Sequence, residues 1–170
     1  MLKRLGIIIV CLTLIGCDGF KLRGSLVVPQ YLRTVYISPY EPYEPLQSAL
    51  RARLKSNNVK VINHADANVT MLEVSRATTK QQVLAYGSSG EVQRYNLTLT
   101  VTYTLITKGD NAQRISRTIT RSRELNRSNN MLLSNEGEEQ IVTRELLNEA
   151  VSEILRQITS RPHHNDDNPC

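Results

Sequence analysis

The chain has 170 residues, enough for a signal segment followed by one globular domain with a proper core. Its formal net charge of +5 is a mild basic excess, which does not match the strong one-sided charge of a nucleic-acid-binding protein. Two of its three cysteines lie within the first 17 residues. The remainder therefore holds no disulfide framework, and its fold must rest on a hydrophobic core.

The N-terminus has the pattern of a secretion signal. Two basic residues open it, and an uncharged apolar run follows from Leu5 to Ile15. This run is shorter than the roughly 20 residues of a membrane-spanning helix but has the length of a signal-peptide core. It ends in Leu14-Ile15-Gly16-Cys17, the pattern of a lipobox, at which diacylglycerol is attached to cysteine before cleavage. We therefore expect Cys17 to become the lipid-bearing first residue and to anchor the chain to a membrane.

The sequence divides into four parts. Residues 1–16 are the removed signal, and 17–30 form a lipidated lead-in. A single domain is expected over 31–161, and a polar tail that we expect to be disordered covers 162–170.

The first half of the domain predicts a strand, a helix and a second strand. Thr34–Ser38 is a β-branched and aromatic run, which is typical of a strand. A helix is expected from Pro45, because proline suits a first helical position, and Asn57-Asn58 ends it. Val59–Ile62 is the second predicted strand.

The middle of the domain is rich in strand patterns. Val69 to Ala77 predicts one strand, which continues irregularly to Tyr86 before a turn at Gly87–Gly90. Apolar and polar residues then alternate from Tyr95 to Leu105, which predicts a long half-buried strand. After a turn, Ile115 to Arg123 is its expected hairpin partner. The hairpin thus presents an apolar face to helices and a hydroxyl-rich face elsewhere.

A second helix closes the domain. Asn135, with Glu138 three residues later, resembles a capping box and predicts the start of this helix. An apolar stripe follows, and Pro162 ends the pattern. The order of elements predicts an α+β fold in which two helices pack on one face of a small mixed, mainly antiparallel sheet.

The sequence offers little catalytic chemistry. His64 is the one histidine outside the tail, and no serine or cysteine stands in a nucleophile motif. His163-His164 lies in the tail, where ligands for a metal would lack fixed geometry. We therefore predict that the protein is not an enzyme and needs no metal or cofactor.

A basic cluster follows the long strand. Its guanidinium groups suit bidentate contacts to phosphates, which envelope lipids carry. Charged residues also protect the edge of a sheet from pairing with other chains, so both interpretations stay open. The cluster consists of Arg114, Arg117, Arg121, Arg123 and Arg127.

Three segments of the chain together resemble one known family. Gly19–Gly24 is similar to that family's opening after the lipidated cysteine. Gly90–Leu97 is similar to its segment in which a glycine and polar residues precede a tyrosine entering a long strand. Arg121–Arg123, followed by Asn130–Gln140 and an amphipathic helix, fits its last third. The family that these segments resemble is the lipopolysaccharide-assembly lipoproteins, LptE, and the resemblance covers nearly the whole mature chain.

The resemblance implies a function at the outer membrane. LptE-like proteins are domains of two helices on a small sheet that lie inside the β-barrel LptD as plug and assembly partner, and they bind lipopolysaccharide. Because a barrel lumen is polar, the hydroxyl-rich strand residues Thr98, Thr100 and Thr102 are the expected barrel contacts. The expected contacts to lipopolysaccharide phosphates are Arg94, Arg117, Arg121, Arg123 and Arg127.

One residue departs from the family pattern. The family usually has glycine after the lipidated cysteine, whereas this chain has Asp18. We expect a lipid-anchored protein on the periplasmic face of the outer membrane, and Asp18 leaves retention at the inner membrane as the alternative. Two other functions also stay open at this point: a pilotin-like adaptor that escorts a secretin, and a periplasmic hydrolase.

Overall fold

The structure is a computed structural model that describes residues 28–109, 112–127 and 132–160. The predicted signal, Cys17, the Gly19–Gly24 motif and the tail from 162 lie outside the described residues. The elements in chain order are a 3₁₀ turn at Gln30–Leu32, β1 (Thr34–Ser38), α1 (Pro45–Ser56), β2 (Lys60–Ile62), β3 (Thr70–Val74), β4 (Thr78–Tyr86), β5 (Val92–Ile106), β6 (Arg114–Asn126) and α2 (Leu132–Thr159).

The described strands form one mixed sheet of six strands. β1 lies between β2 and β3 and runs parallel to both. β3 and β4 both pair antiparallel with β5, β3 with its C-terminal end and β4 with its N-terminal part. β6 follows the other side of β5 from Arg94 opposite Asn126 to Ile106 opposite Arg114. The predicted α+β class and the predicted hairpin are confirmed.

The predictions for β1 and α1 are confirmed at their stated bounds. The Glu44 carboxylate caps α1 by accepting a hydrogen bond of 2.8 Å from the Gln47 backbone amide. Pro45 occupies the first turn, where its missing N–H removes no helical bond. Asn58 ends the segment at a φ of 61°, a left-handed conformation that asparagine tolerates better than most residues.

The segment from Val69 to Tyr86 forms two strands rather than one irregular strand. The break falls at residues 75–77, between β3 and β4. There the Thr102 backbone amide donates to the Ser75 hydroxyl at 2.9 Å, while the Ser75 amide donates to the Thr102 carbonyl at 2.8 Å. A side-chain oxygen thus replaces a backbone acceptor and interrupts the regular ladder.

The prediction that Asn135 caps the last helix is wrong. α2 already begins at Leu132, so that Asn135 is an interior helical residue. Leucine is a strong helix former, and no glycine or proline separates Leu132 and Leu133 from Asn135. The helix therefore extends back past the polar residue that suggested its start.

The core lies between the helical layer and one face of the sheet. β5 crosses its centre, and alternate side chains of this strand are buried beneath the helices. β4, in contrast, is exposed along nearly its whole length. The buried residues of β5 are Tyr95, Leu97, Leu99, Val101, Tyr103 and Leu105, and those of the helices include Leu46, Leu50, Leu54, Leu146, Val151, Ile154 and Ile158.

Gly137→Ala is expected to stabilise the protein by about 0.5–1 kcal/mol. Gly137 lies within α2, and a Cβ added there would meet no described atom within 4 Å beyond the adjoining backbone of its own helix. Urea denaturation of the mature chain measures the change. Gly87→Ala is the control, because its Cβ would lie 2.1 Å from Glu91 Oε1 and force that side chain to move. A neutral or destabilising Gly137→Ala would contradict the placement of this residue inside a helix.

Candidate functional site

A row of hydroxyl side chains covers the sheet face that points away from the helices. Because side chains alternate along a strand, the residues between the buried ones of β5 must lie on this opposite face. Each faces a serine or threonine of β6. We call this surface the hydroxyl face, and its members are Thr98, Thr100, Thr102, Thr104, Ser116, Thr118, Thr120 and Ser122.

Hydrogen bonds across the hairpin link some of these hydroxyl groups. The Oγ1 atoms of Thr102 and Thr118 lie 3.0 Å apart, and the Thr104 hydroxyl donates to Ser116 Oγ at 3.1 Å. The β5 members remain partly exposed, and those of β6 are exposed. The predicted barrel contacts Thr98, Thr100 and Thr102 therefore share one accessible surface.

Ion pairs stand at both ends of the hydroxyl face. At one end the Arg94 guanidinium donates to Glu124 at 2.9 Å, and at the other Arg114 donates to Glu73 at 2.9 Å. Each positive charge is matched by a carboxylate. The eight residues between the two pairs are uncharged hydrogen-bonding groups, and Lys80 of β4, opposite Thr98, adds one positive charge beside them.

The predicted lipopolysaccharide-binding arginines do not form one cluster. Arg94 lies on the hydroxyl-face side, whereas Arg117, Arg121 and Arg123 project from β6 on the helix side, opposite Tyr103, Leu99 and Leu97. The Arg127 guanidinium lies over the Tyr95 ring, 5.4 Å from its centre. Strand alternation explains the separation, because residues at even and odd positions point to opposite faces.

Two of these arginines bind carboxylates of α2. Arg123 donates to Glu149 at 2.7 Å, and Arg121 lies 3.3 Å from Glu153. These pairs fasten the outer strand β6 to the helix above it. Arg117, in contrast, is exposed and forms no ion pair with the residues that the structure describes.

Glu153→Gln is expected to lower the free energy of unfolding at pH 7 by about 1 kcal/mol. A hydrogen bond from the Arg156 side chain, and a smaller effect of one from Gln157, hold the pKa of Glu153 below its usual value. A lowered folded-state pKa contributes stability above the unfolded pKa of roughly 4.3, and this is lost as pH falls through the folded value. The difference between variant and wild type should therefore shrink as the pH falls below about 4.3.

Urea titrations at several pH values measure this dependence. Glu145→Gln is the matched control, since Glu145 is exposed on the same helix and lies outside these ion pairs. A Glu153→Gln deficit that persisted unchanged at low pH would show that the carboxylate charge is not the cause.

Two buried tyrosines of β5 also reach α2, and these contacts were not predicted from the sequence. Tyr95 donates to Glu139 at 3.0 Å, and Gln81 of β4 donates to the other oxygen of that carboxylate at 2.7 Å. Burial raises the pKa of Tyr95, and its hydrogen bond to Glu139 raises this pKa further. Tyr103 donates to Gln157 at 2.7 Å. Tyrosine at two core positions was the available signal, because a buried phenol needs a hydrogen-bond partner.

The described residues hold no cluster of three or more histidine, cysteine, aspartate or glutamate side chains that fits a metal ion. Within residues 28–109, 112–127 and 132–160, none of the helices combines the length and apolar character needed to cross a membrane.

Comparison with known proteins identifies the family. The family model described as LptE, lipopolysaccharide-assembly, matches residues 32–158 and thus covers every element from β1 to α2. The chain belongs to the LptE family. This confirms the resemblance drawn from the sequence motifs.

Relatives of the LptE family match over most of the chain. The LPS-assembly lipoprotein LptE of Pectobacterium atrosepticum is 27% identical over 144 residues, which are 84% of this chain and 77% of that protein. The LPS-assembly lipoprotein LptE of Photorhabdus laumondii is also 27% identical, over 143 residues with the same coverage.

Solved structures share the fold of this LptE-family chain. The rare lipoprotein B of Shewanella oneidensis aligns with a TM-score of 0.66 at 24% identity, covering 75% of this chain and 94% of that protein. A lipoprotein B of Nitrosomonas europaea aligns with a TM-score of 0.62 at 26% identity, covering 83% and 90%.

Proposed function

We propose that this LptE-family protein is an outer-membrane lipoprotein that binds lipopolysaccharide and forms the plug and assembly partner of an LptD-type β-barrel. The observation that carries the proposal is the family match over residues 32–158, nearly the whole described domain. Its role is to help insert lipopolysaccharide into the outer leaflet. The role is one of binding and assembly rather than catalysis, and the family match gives no support to the secretin-escort alternative.

The hydroxyl face supports the barrel contact on physical grounds. The lumen of a transmembrane barrel is polar and hydrated, so a plug needs exposed hydrogen-bonding groups rather than apolar ones. Thr98, Thr100 and Thr102 supply such groups in a row, next to the serines and threonines of β6. The ion pairs at both ends balance the charges of Arg94 and Arg114, and Lys80, opposite Thr98 on β4, adds one positive charge to this surface.

Copurification tests the proposal. The lipidated protein, tagged at its C-terminus, is captured from detergent-solubilised envelope, and the bound proteins are identified by mass spectrometry. We expect an LptD-type barrel in stoichiometric amount. Recovery of a secretin instead would favour the adaptor function, and recovery of neither would contradict the proposal.

Arg117 is the arginine best placed for lipopolysaccharide phosphates. A phosphate at Arg121 or Arg123 must compete with Glu153 or Glu149, whereas Arg117 is exposed and has no such competitor among the described residues. Arg117→Glu is expected to weaken binding of purified lipopolysaccharide about tenfold while leaving the thermal midpoint unchanged.

Fluorescent lipopolysaccharide titrated against the purified protein measures this effect. Arg53→Glu is the control, since Arg53 is an exposed arginine on α1, away from β6. Equal affinities of the Arg117→Glu variant and the wild type would remove Arg117 from the binding site.

We propose that a lipid anchor at Cys17 holds the domain on the periplasmic face of the outer membrane. Asp18 is the residue that leaves retention at the inner membrane as the alternative. Separation of the two membranes by density, followed by detection of the protein, distinguishes them. Asp18→Gly, which restores the usual residue of the family, should leave an outer-membrane protein where it is.

A further inference from the structure

Arg51 is an arginine buried inside the domain without a carboxylate. It lies on α1 and is only 9% exposed. Arginine is almost never buried to this degree unless its charge is paired. None of the ion pairs among the described residues includes Arg51.

Two of the three guanidinium nitrogens of Arg51 have no hydrogen-bond partner among the described residues. Nη1 donates to Asn63 Oδ1 at 3.4 Å, a long contact, while Nε and Nη2 are buried and unpartnered. Nε and Nη2 share one edge of the planar guanidinium group. Their parallel N–H groups form the fork with which arginine binds an oxyanion side-on.

The two carboxylates that precede Arg51 most closely in the sequence already have other partners. Glu41 pairs with Arg76 at 3.2 Å, and Glu44 accepts from the Gln47 amide at 2.8 Å at the start of α1. Both of these carboxylates have other partners, and the fork stays without one among the described residues.

The Tyr40 ring stacks on the Arg51 guanidinium and is partly exposed. The ring centre lies 4.8 Å from the guanidinium carbon, and Tyr40 is 43% exposed. The Gln47 side chain fixes the backbone on both sides of this tyrosine, donating to the Pro39 carbonyl at 2.8 Å and accepting from the Glu41 amide at 3.0 Å. Rotation of the Tyr40 side chain would remove the ring contact with the guanidinium group while these two hydrogen bonds keep the backbone in place.

We propose that Arg51 is a receptor for a single carboxylate, which binds Nε and Nη2 when the Tyr40 ring turns aside. Two parallel donors match the two oxygens of a carboxylate, and one positive charge balances one negative charge. A phosphate would bring further oxygens and charge for which this edge offers no donor. The carboxylate comes from an acidic side chain of a partner protein or from this chain outside the described residues, for example Asp166 or Asp167.

Nitrogen-15 NMR of the arginine Nε–Hε groups in the mature chain tests this proposal, with sodium formate as the probe and sodium chloride at equal ionic strength as the control. Arg51→Lys identifies the Arg51 signal by its loss. We expect formate, but not chloride, to shift this signal in a saturable way, and the exposed Arg53 to show no comparable shift. Tyr40→Ala should lower the half-saturating formate concentration roughly threefold, because the ring no longer competes through its cation–π contact.

The double variant Asp166→Asn with Asp167→Asn distinguishes the two sources of the carboxylate, the tail and a partner protein. If the tail supplies the carboxylate, the formate response appears only in this variant, and if a partner supplies it, the response is already present in the wild type. Either result supports the receptor. Absence of a formate-specific shift in the wild type, in the tail variant and in Tyr40→Ala would overturn it.

Discussion

Ile154→Ala is expected to lower the free energy of unfolding by about 2–5 kcal/mol, a large part of the stability of a domain of this size. Ile154 lies on α2 and is fully buried at 0% exposure. Truncation removes apolar contacts with the sheet and leaves a cavity that the surrounding side chains fill only in part. Because residues 28–160 contain no cysteine, no disulfide within the described domain offsets the loss.

The matched control is Ile141→Ala, the same change on the same helix. Ile141 is 59% exposed, so its truncation should change the stability by no more than about 0.5 kcal/mol. Urea denaturation followed by circular dichroism measures both variants. Similar losses of stability in the two variants would contradict the orientation of α2, in which Ile154 is buried and Ile141 is exposed.

Cys17→Ser is expected to abolish lipid attachment and the removal of the signal. The lipobox chemistry forms a thioether on the cysteine sulfur, and serine offers no sulfur for it. Metabolic labelling with radioactive palmitate, followed by gel electrophoresis, should show a band that is unlabelled and larger by about the 16 residues of the signal.

Cys170→Ser is the control for this experiment, because it removes the other cysteine of the mature chain. It should incorporate label and mature like the wild type. Label that persisted in Cys17→Ser, or that disappeared in Cys170→Ser, would place the lipid elsewhere.

The sequence predicted those elements whose signals are local. Pro45 and Asn57-Asn58 delimit α1 through their own backbone preferences, and the alternation from Tyr95 to Leu105 follows from the geometry of a single strand. The break between β3 and β4 depends on a contact of Ser75 with Thr102, 27 residues away. Such a contact leaves no local pattern, so the prediction of one irregular strand missed it.

The hydroxyl face and the arginines differ in the same way: a local pattern predicts the first, and no local pattern gives the partners of the second. The hydroxyl face follows from period two in both strands of the hairpin, and the pairing of Thr100 with Thr120 confirms that the two rows meet. The arginines were recognised by composition alone, which gives neither their side of the sheet nor their partners. Glu149 and Glu153, which bind Arg123 and Arg121, lie on a helix that follows much later in the chain.

Site-specific photocrosslinking from the hydroxyl face tests the plug arrangement most directly. A photoreactive amino acid is placed singly at Thr98, Thr100 and Thr102 in the lipidated protein and irradiated in intact cells, with Arg53 on α1 as the comparison position. The proposed plug predicts covalent adducts with an LptD-type barrel from the three strand positions, at higher yield than from Arg53. If none of the three positions captured a barrel protein, the hydroxyl face would not be the surface that meets the lumen.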